Sequence, residues 1–162
     1  MKFSDGLWLN QRGYEVSYAA QAYEVTTTQN AIHVFATANA IWNRAMTLGG
    51  VTFEIVYTAI APDVIRVQIA HHKGGLKNKP QFELNLPEGY VPDEIHEEEG
   101  FVSMTAGSTT LKIKKGTDGW DVSFFRDGKR LTGGGWRCTS YIQENKFHRD
   151  ARLALQTDDD FF

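Results

Sequence analysis

The chain has 162 residues, of which 41% are hydrophobic and 23% charged, and it holds four tryptophans. That balance fits one globular domain with a sizeable core and excludes a disordered chain. A formal net charge of -3 supplies no basic field for a phosphate backbone, so no nucleic-acid partner is expected. No apolar run approaches ~18 residues, and Met1 to Gly6 lacks an apolar leader core, so no membrane partner is expected and the chain reads as cytoplasmic. The single cysteine, Cys138, has no internal disulfide partner. It reads as a reduced, half-buried strand residue rather than a nucleophile, which would need a positioned histidine.

Along the chain, period-two alternation dominates. Ile32, Val34 and Ala36 alternate with His33, Phe35 and Thr37; Phe53, Ile55 and Tyr57 with Glu54, Val56 and Thr58; Ile65, Val67 and Ile69 with Arg66, Gln68 and Ala70. Leu111 and Ile113 alternate with lysines, and Trp120, Val122 and Phe124 with Asp121, Ser123 and Phe125. Each run places one apolar row on one face of a strand. Where both faces are apolar, as at Val34–Phe35, a second layer is expected outside. No stretch carries a helical stripe of useful length, and Thr37 to Leu48 comes nearest to one. Turn signals stand at Gln29-Asn30, Ala61-Pro62-Asp63, Gly107-Ser108 and Gly116 to Gly119, and Asp127-Gly128 predicts a tight type I′ hairpin. Short strands with frequent turns and no regular closing period predict an all-β, antiparallel β-sandwich as one domain over 1–162.

Two segments depart from this pattern. His71 to Pro80 is a basic, glycine-containing loop, and Glu94 to Glu99 is an acidic cluster expected at a solvated edge or turn. The end of the chain, Gln156 to Phe162, closes on two aromatics and reads as a cut from something longer.

Met1-Lys2-Phe3-Ser4-Asp5-Gly6-x-Trp8-Leu9 followed by Gln21-Ala22-Tyr23-Glu24-Val25 resembles the start of bacterial α-xylosidases in family 31 of the glycoside hydrolases. Val64-Ile65-Arg66-Val67-Gln68-Ile69-x-His71, the loop His72 to Asn78, Leu111-Lys112-Ile113, and Phe124 to Gly133 continue the resemblance in the same order. It implies the galactose-mutarotase-like N-terminal sandwich of such an enzyme, ahead of a (β/α)₈ barrel that is absent here. The barrel of the family carries the aspartate nucleophile and acid/base of retaining α-glycoside hydrolysis. The resemblance therefore implies a domain with no catalytic residues and no cofactor of its own. Its partners would be the barrel of the same full-length chain, further copies in a homo-oligomer, and an α-xyloside or α-glucoside only in the longer protein. Trp42-Asn43-Arg44 looks like a family substrate loop, but Ala45 replaces its aspartate and the position is too early, so the match reads as coincidence.

The candidate chemical groups point the same way. Glu97-Glu98-Glu99 and Asp158-Asp159-Asp160 read as solvated runs, since nothing there holds two carboxyl groups across a cleft. Adjacent His71 and His72 on a strand would point to opposite faces, so no metal site is expected from them with His33, His96 or His148. A mutarotase-like pair of histidine and carboxylate would need a deep groove and a longer sandwich. Sugars stack their C–H faces on indoles, which makes the tryptophans the candidates for carbohydrate contact. Trp120 is expected in the core, whereas Trp8 and Trp136 are the candidate sugar contacts. A free-standing carbohydrate-binding module using exposed Trp8, Trp42 or Trp136 is the alternative. A chain separated from its barrel is expected to show a large apolar patch or to dimerise.

Overall fold

The computed structural model describes residues 9–11, 13–71, 85 and 89–144, and the strand at 151–155. In chain order the described strands are β1 Tyr14–Tyr18, β2 Gln21–Thr27, β3 Ala31–Thr37, β4 Thr52–Ala61, β5 Val64–Ala70 and β6 Glu94–Glu97. They continue as β7 Phe101–Ala106, β8 Thr109–Lys114, β9 Val122–Arg126, β10 Lys129–Gly134, β11 Thr139–Glu144 and β12 Ala151–Leu155. They form a four-stranded sheet β2-β3-β4-β5, a five-stranded sheet β10-β9-β8-β7-β6 and a three-stranded sheet β1-β11-β12. Every described pairing is antiparallel.

The alternation in sequence becomes the core. Ile32, Val34 and Ala36 on β3 and Phe53, Ile55, Tyr57 and Ala59 on β4 are buried in one cluster with Val102, Met104 and Ala106 on β7, Leu111 and Ile113 on β8, and Val122 on β9. Side chains from both larger sheets meet in that cluster, so the fold is the β-sandwich the pattern predicts. On β5, Ile65, Val67 and Ile69 pack against the same core while Val64, Arg66 and Gln68 face out. In β2 the register shifts between Ala22 and Glu24. The bulge lets Ala22 and Val25, three residues apart, both serve the core side and leaves Tyr23 outside.

Phe35 is 36% exposed and lines an open groove with Tyr23, Ile41 and Leu48. Thr37 to Leu48 is not an α-helix but an irregular connection ending in a short 3₁₀ turn, Arg44–Leu48, with no buried residue. Without an apolar stripe to bury, that segment has no tertiary reason to complete an α-helix. Asn43 caps it, its Oδ1 accepting from the amide of Ala45 at 3.0 Å.

The turns follow their sequences. Asp127 and Gly128 have φ of 50° and 76°, the pair of positive values that a type I′ hairpin requires. The acidic cluster becomes β6, an edge strand of the five-stranded sheet in which only Ile95 is partly buried. Its charges oppose pairing with a further strand.

At one end of the sandwich the β4–β5 turn is clamped to the β7–β8 turn. Asp63 Oδ1 accepts from the amide of Ser108 at 2.6 Å and from its hydroxyl at 2.8 Å, and the amide of Asp63 donates to Ala106 O at 3.1 Å. Asp93 Oδ2 accepts from the amide of Gly107 at 2.6 Å. The Ser108 hydroxyl and amide, with help from Arg126 and Thr109, hold the Asp63 carboxyl below the usual carboxylate range despite some desolvation. The folded value thus lies below the unfolded one. The stabilisation is complete above the unfolded value of about 4 and is lost as pH falls through the lower folded value. Asp63→Asn, which tolerates the φ of 62°, is expected to flatten the acid limb of Tm against pH. Equal acid slopes for the two proteins would show that the clamp carries no proton linkage.

Candidate functional site

The opposite end of the sandwich gathers the aromatic groups. The amide of Ala20 donates to Thr37 O at 2.8 Å and that of Ala19 to Thr139 O at 2.8 Å. Gln21 Oε1 accepts from the amide of Ile41 at 2.7 Å. These bonds collect the ends of β1 and β3 and the starts of β2 and β11. Thr37 pairs with Thr52, which adds the start of β4, and a bridge between Ala22 and Gly116 adds the loop after β8.

Arg137 is the centre of this end. It follows Gly133, Gly134 and Gly135 and takes a φ of 71°, a left-handed conformation uncommon for a bulky residue. The amide of Cys138 donates to Gly135 O at 3.3 Å across this turn. The reversal lays the guanidinium 4.3 Å from the centre of the Trp136 ring and 5.2 Å from that of Tyr18. Both rings offer their negative faces to the cation. Trp136 nevertheless keeps 68% of its surface exposed.

Where β5 ends, the ring of His71 lies 4.2 Å from that of Tyr141 at 42°. His71 Nδ1 is 3.0 Å from the carbonyl oxygen of Thr52. A carbonyl only accepts, so the neutral ring carries its proton on Nδ1.

Of the tryptophans, Trp120 is in the core as expected, 4% exposed, and its Nε1 finds no hydrogen-bond partner among the described residues. Trp136 is exposed, and Trp42 is equally so at 68%, in a shallow cleft with Ala38, Met46 and Gly49. Trp8 lies outside the described residues, as do His72 and Asp158 to Asp160. Asn43 of the Trp42-Asn43-Arg44 segment spends its side chain on the cap of its own turn. Among the described residues no three His, Cys, Asp or Glu side chains converge on a metal-sized site.

Glu97 is exposed and paired with Lys115 Nζ at 2.9 Å. Asp63 and Asp93 are spent on turn amides at the other end, and the Asp63 carboxyl, held low by Ser108, is the reverse of what a general acid needs. Cys138 is 3% exposed rather than half-buried, because it belongs to the core cluster that also holds Tyr57. Burial pushes the Tyr57 phenol upward, and Cys138 adds to it. Sequence reasoning missed Arg137 and Tyr18. The available signal was a cationic residue directly after an indole and a run of glycines; Tyr18 lies at the far end of the chain and carried none.

What fold and site define is an antiparallel β-sandwich with an aromatic, guanidinium-backed rim at one end. Two curated proteins are similar to the chain over most of its length. The chain is 26% identical over 156 residues to an alpha-xylosidase of Emericella nidulans, an alignment covering 90% of this chain and 19% of that protein. It is also 26% identical over 132 residues to alpha-xylosidase XylQ of Lactiplantibacillus pentosus, covering 82% of this chain and 17% of the relative. No protein-family model matches the chain. The chain spans less than a fifth of the length of these relatives, and the similarity covers most of the chain.

Proposed function

We propose that the chain is the N-terminal β-sandwich domain of a family 31 α-xylosidase, cytoplasmic and without catalytic activity of its own. In the longer protein it would brace the catalytic barrel, wall part of the substrate cleft and contribute to oligomer assembly. One observation carries this reading: two α-xylosidases share the sequence over most of its length, while that length is less than a fifth of theirs. Retaining hydrolysis needs two carboxyl groups ~5–5.5 Å apart across the scissile bond, and the carboxylates described above are engaged in structural bonds or exposed on an edge.

The outer face of β2 and β3 supports the same reading. Tyr23, Phe35, Ile41 and Leu48 line a groove of about 310 Å³, and Leu48 is 88% exposed. The four-fifths of the relatives' length that lies outside this chain would cover that face. Such burial resembles the apolar centre of a permanent interface.

The test compares this chain with the product of the uninterrupted gene. Hydrolysis of p-nitrophenyl α-xyloside or α-glucoside is expected from the longer protein alone. In that protein a Leu48→Cys thiol should react with maleimide far more slowly than in the short chain. Activity of the short chain would refute the non-catalytic reading. Equal thiol reactivity would refute the placement of the covered face.

The second reading, a free-standing carbohydrate-binding module, is favoured by the exposure of both Trp42 and Trp136. It requires that the short chain bind sugar while no longer product exists.

A further inference from the structure

Of the four edge strands of the two larger sheets, three are guarded against pairing. β6 lies in a run that holds Glu94, Glu97, Glu98 and Glu99. β10 carries Lys129, Arg130 and a bulge at Leu131, and β2 takes a bridge from Gly116. Charges, bulges and covered edges are the usual means of keeping a strand from recruiting another. β5 has none of them: Arg66 is the single charge in its seven residues, and its ladder to β4 is regular from Ile65 to Ala70. Among the described residues no strand pairs on its outer side.

Burial on β5 is correspondingly incomplete. On β4, which has a neighbour on each side, Phe53, Ile55, Tyr57 and Ala59 are at most 2% exposed. The inward row of β5, Ile65, Val67 and Ile69, packs on the same core yet stays only half-buried. A further strand that continued the sheet would take this β-branched row out of water.

The strand is also complementary to itself. Two copies related by a two-fold axis normal to the sheet pair antiparallel and keep inward residues inward. With Val67 on the axis, all seven residues of the strand are paired. Ile65 then meets Ile69 and Val67 meets its own counterpart, so two half-buried rows become one. On the outer face Arg66 meets Gln68, whose amide oxygen accepts from a guanidinium. A slide by two residues in either direction leaves only five pairs of the seven residues, and in one direction it sets Arg66 against Arg66. A slide by one turns the apolar row outward.

We propose that β5 is a homodimer contact: two copies of this chain join their four-stranded sheets edge to edge, with Val67 on the two-fold axis. The proposal gives the oligomer assembly of the functional reading a place and a register, and only its occurrence in the longer protein rests on that reading. One pair of strands is a small interface, so the association is weak and concentration-dependent.

Sedimentation equilibrium of the 162-residue chain from about 1 μM to about 1 mM covers the affinities of such a contact, and a monomer–dimer equilibrium is expected. Gln68 is exposed in the monomer, so its variants keep the fold, which circular dichroism checks. Gln68→Arg sets two arginine pairs across the axis and should raise the dissociation constant about tenfold. Gln68→Glu sets two ion pairs there and should lower it several-fold at low salt, a gain that added salt removes. The double variant Arg66→Glu, Gln68→Arg exchanges the charges and should dimerise as well as Gln68→Glu, because each glutamate again faces an arginine.

A chain that is monomeric throughout, or a dimer on which Gln68→Arg and Gln68→Glu act alike, would overturn the proposal. A dimer that Leu48→Lys dissolves would move the contact to the apolar groove and overturn it too. Failure of the charge exchange to restore dimerisation would overturn the register. None of these outcomes touches the hydrolysis test of the longer protein, and failure of that test leaves the strand contact standing.

Discussion

Replacing Phe53 by alanine is expected to lower the unfolding free energy by about 3–5 kcal/mol, the range for truncating a buried aromatic. Phe53 is fully buried on β4, inside the cluster where the two larger sheets meet. Its partner across the strand pair is Ala36, whose methyl group is too small to fill the void. Val34 and Ile55 are held in register by the β3–β4 ladder, so the site has little freedom to collapse. Total stability for a single domain is about 5–15 kcal/mol, and the alanine variant would therefore approach the limit of folding. Phe53→Leu, with a cost of roughly 1–1.5 kcal/mol, keeps the comparison measurable. Urea unfolding followed by the fluorescence of buried Trp120 reads both. A loss below about 1 kcal/mol for alanine would mean that the sheets do not pack at Phe53.

Gly133→Ala is expected to destabilise by about 1–3 kcal/mol, the usual cost of overpacking, and to disturb the aromatic end as well. A Cβ at Gly133 would stand 2.6 Å from Val122 O, 2.6 Å from Arg130 Nη2 and 2.9 Å from Ser123 Oγ. The arginine can swing aside. The carbonyl of Val122 cannot, because it belongs to the strand paired with β10, where Gly133 faces Ser123 and Gly134 faces Val122. The strands must then separate where the chain leads to Trp136 and Arg137. Urea unfolding reports the stability, and the chemical shift of the Trp136 indole N–H reports the geometry. A variant as stable as the parent, with an unmoved Trp136 signal, would show that the β9–β10 pair yields at no cost. Gly135→Ala is the matched control: its nearest neighbours beyond the adjoining residues are at 3.6 and 3.9 Å, ordinary contact distances.

Much of the fold was legible because local chemistry and tertiary need agree. The inward rows on β3, β4 and β8 follow directly from alternation, since a strand sends successive side chains to opposite faces. The β9–β10 hairpin follows from Asp127-Gly128, because few residue pairs accept two positive φ values. Thr37 to Leu48 carries no helical stripe in sequence and forms only a short 3₁₀ turn, because an α-helix here would have no apolar face to pack. At Phe35, alternation shows that the outer side is apolar, and only the three-dimensional arrangement shows the open groove that it lines.

The candidate site divides in the same way. Trp120 was correctly assigned to the core from its place in an alternating run. Trp136 carried no such periodicity, and its exposure depends on the turn that places Arg137 over it. The resemblance to α-xylosidases, written in the order of short motifs along the chain, agrees with the two curated relatives.

By itself, then, the amino-acid sequence determined the all-β class, the inward rows of the main strands, the type I′ hairpin and the similarity to α-xylosidases, because each is encoded in neighbouring residues or in their order. The tertiary structure alone decided that Asp63 ties one turn to another, and that Tyr18, Trp136 and Arg137 stack at one end. The Asp63–Ser108 and Tyr18–Arg137 contacts join residues 45 or more positions apart, and their existence depends on how the sheets pair and pack, which no local pattern specifies.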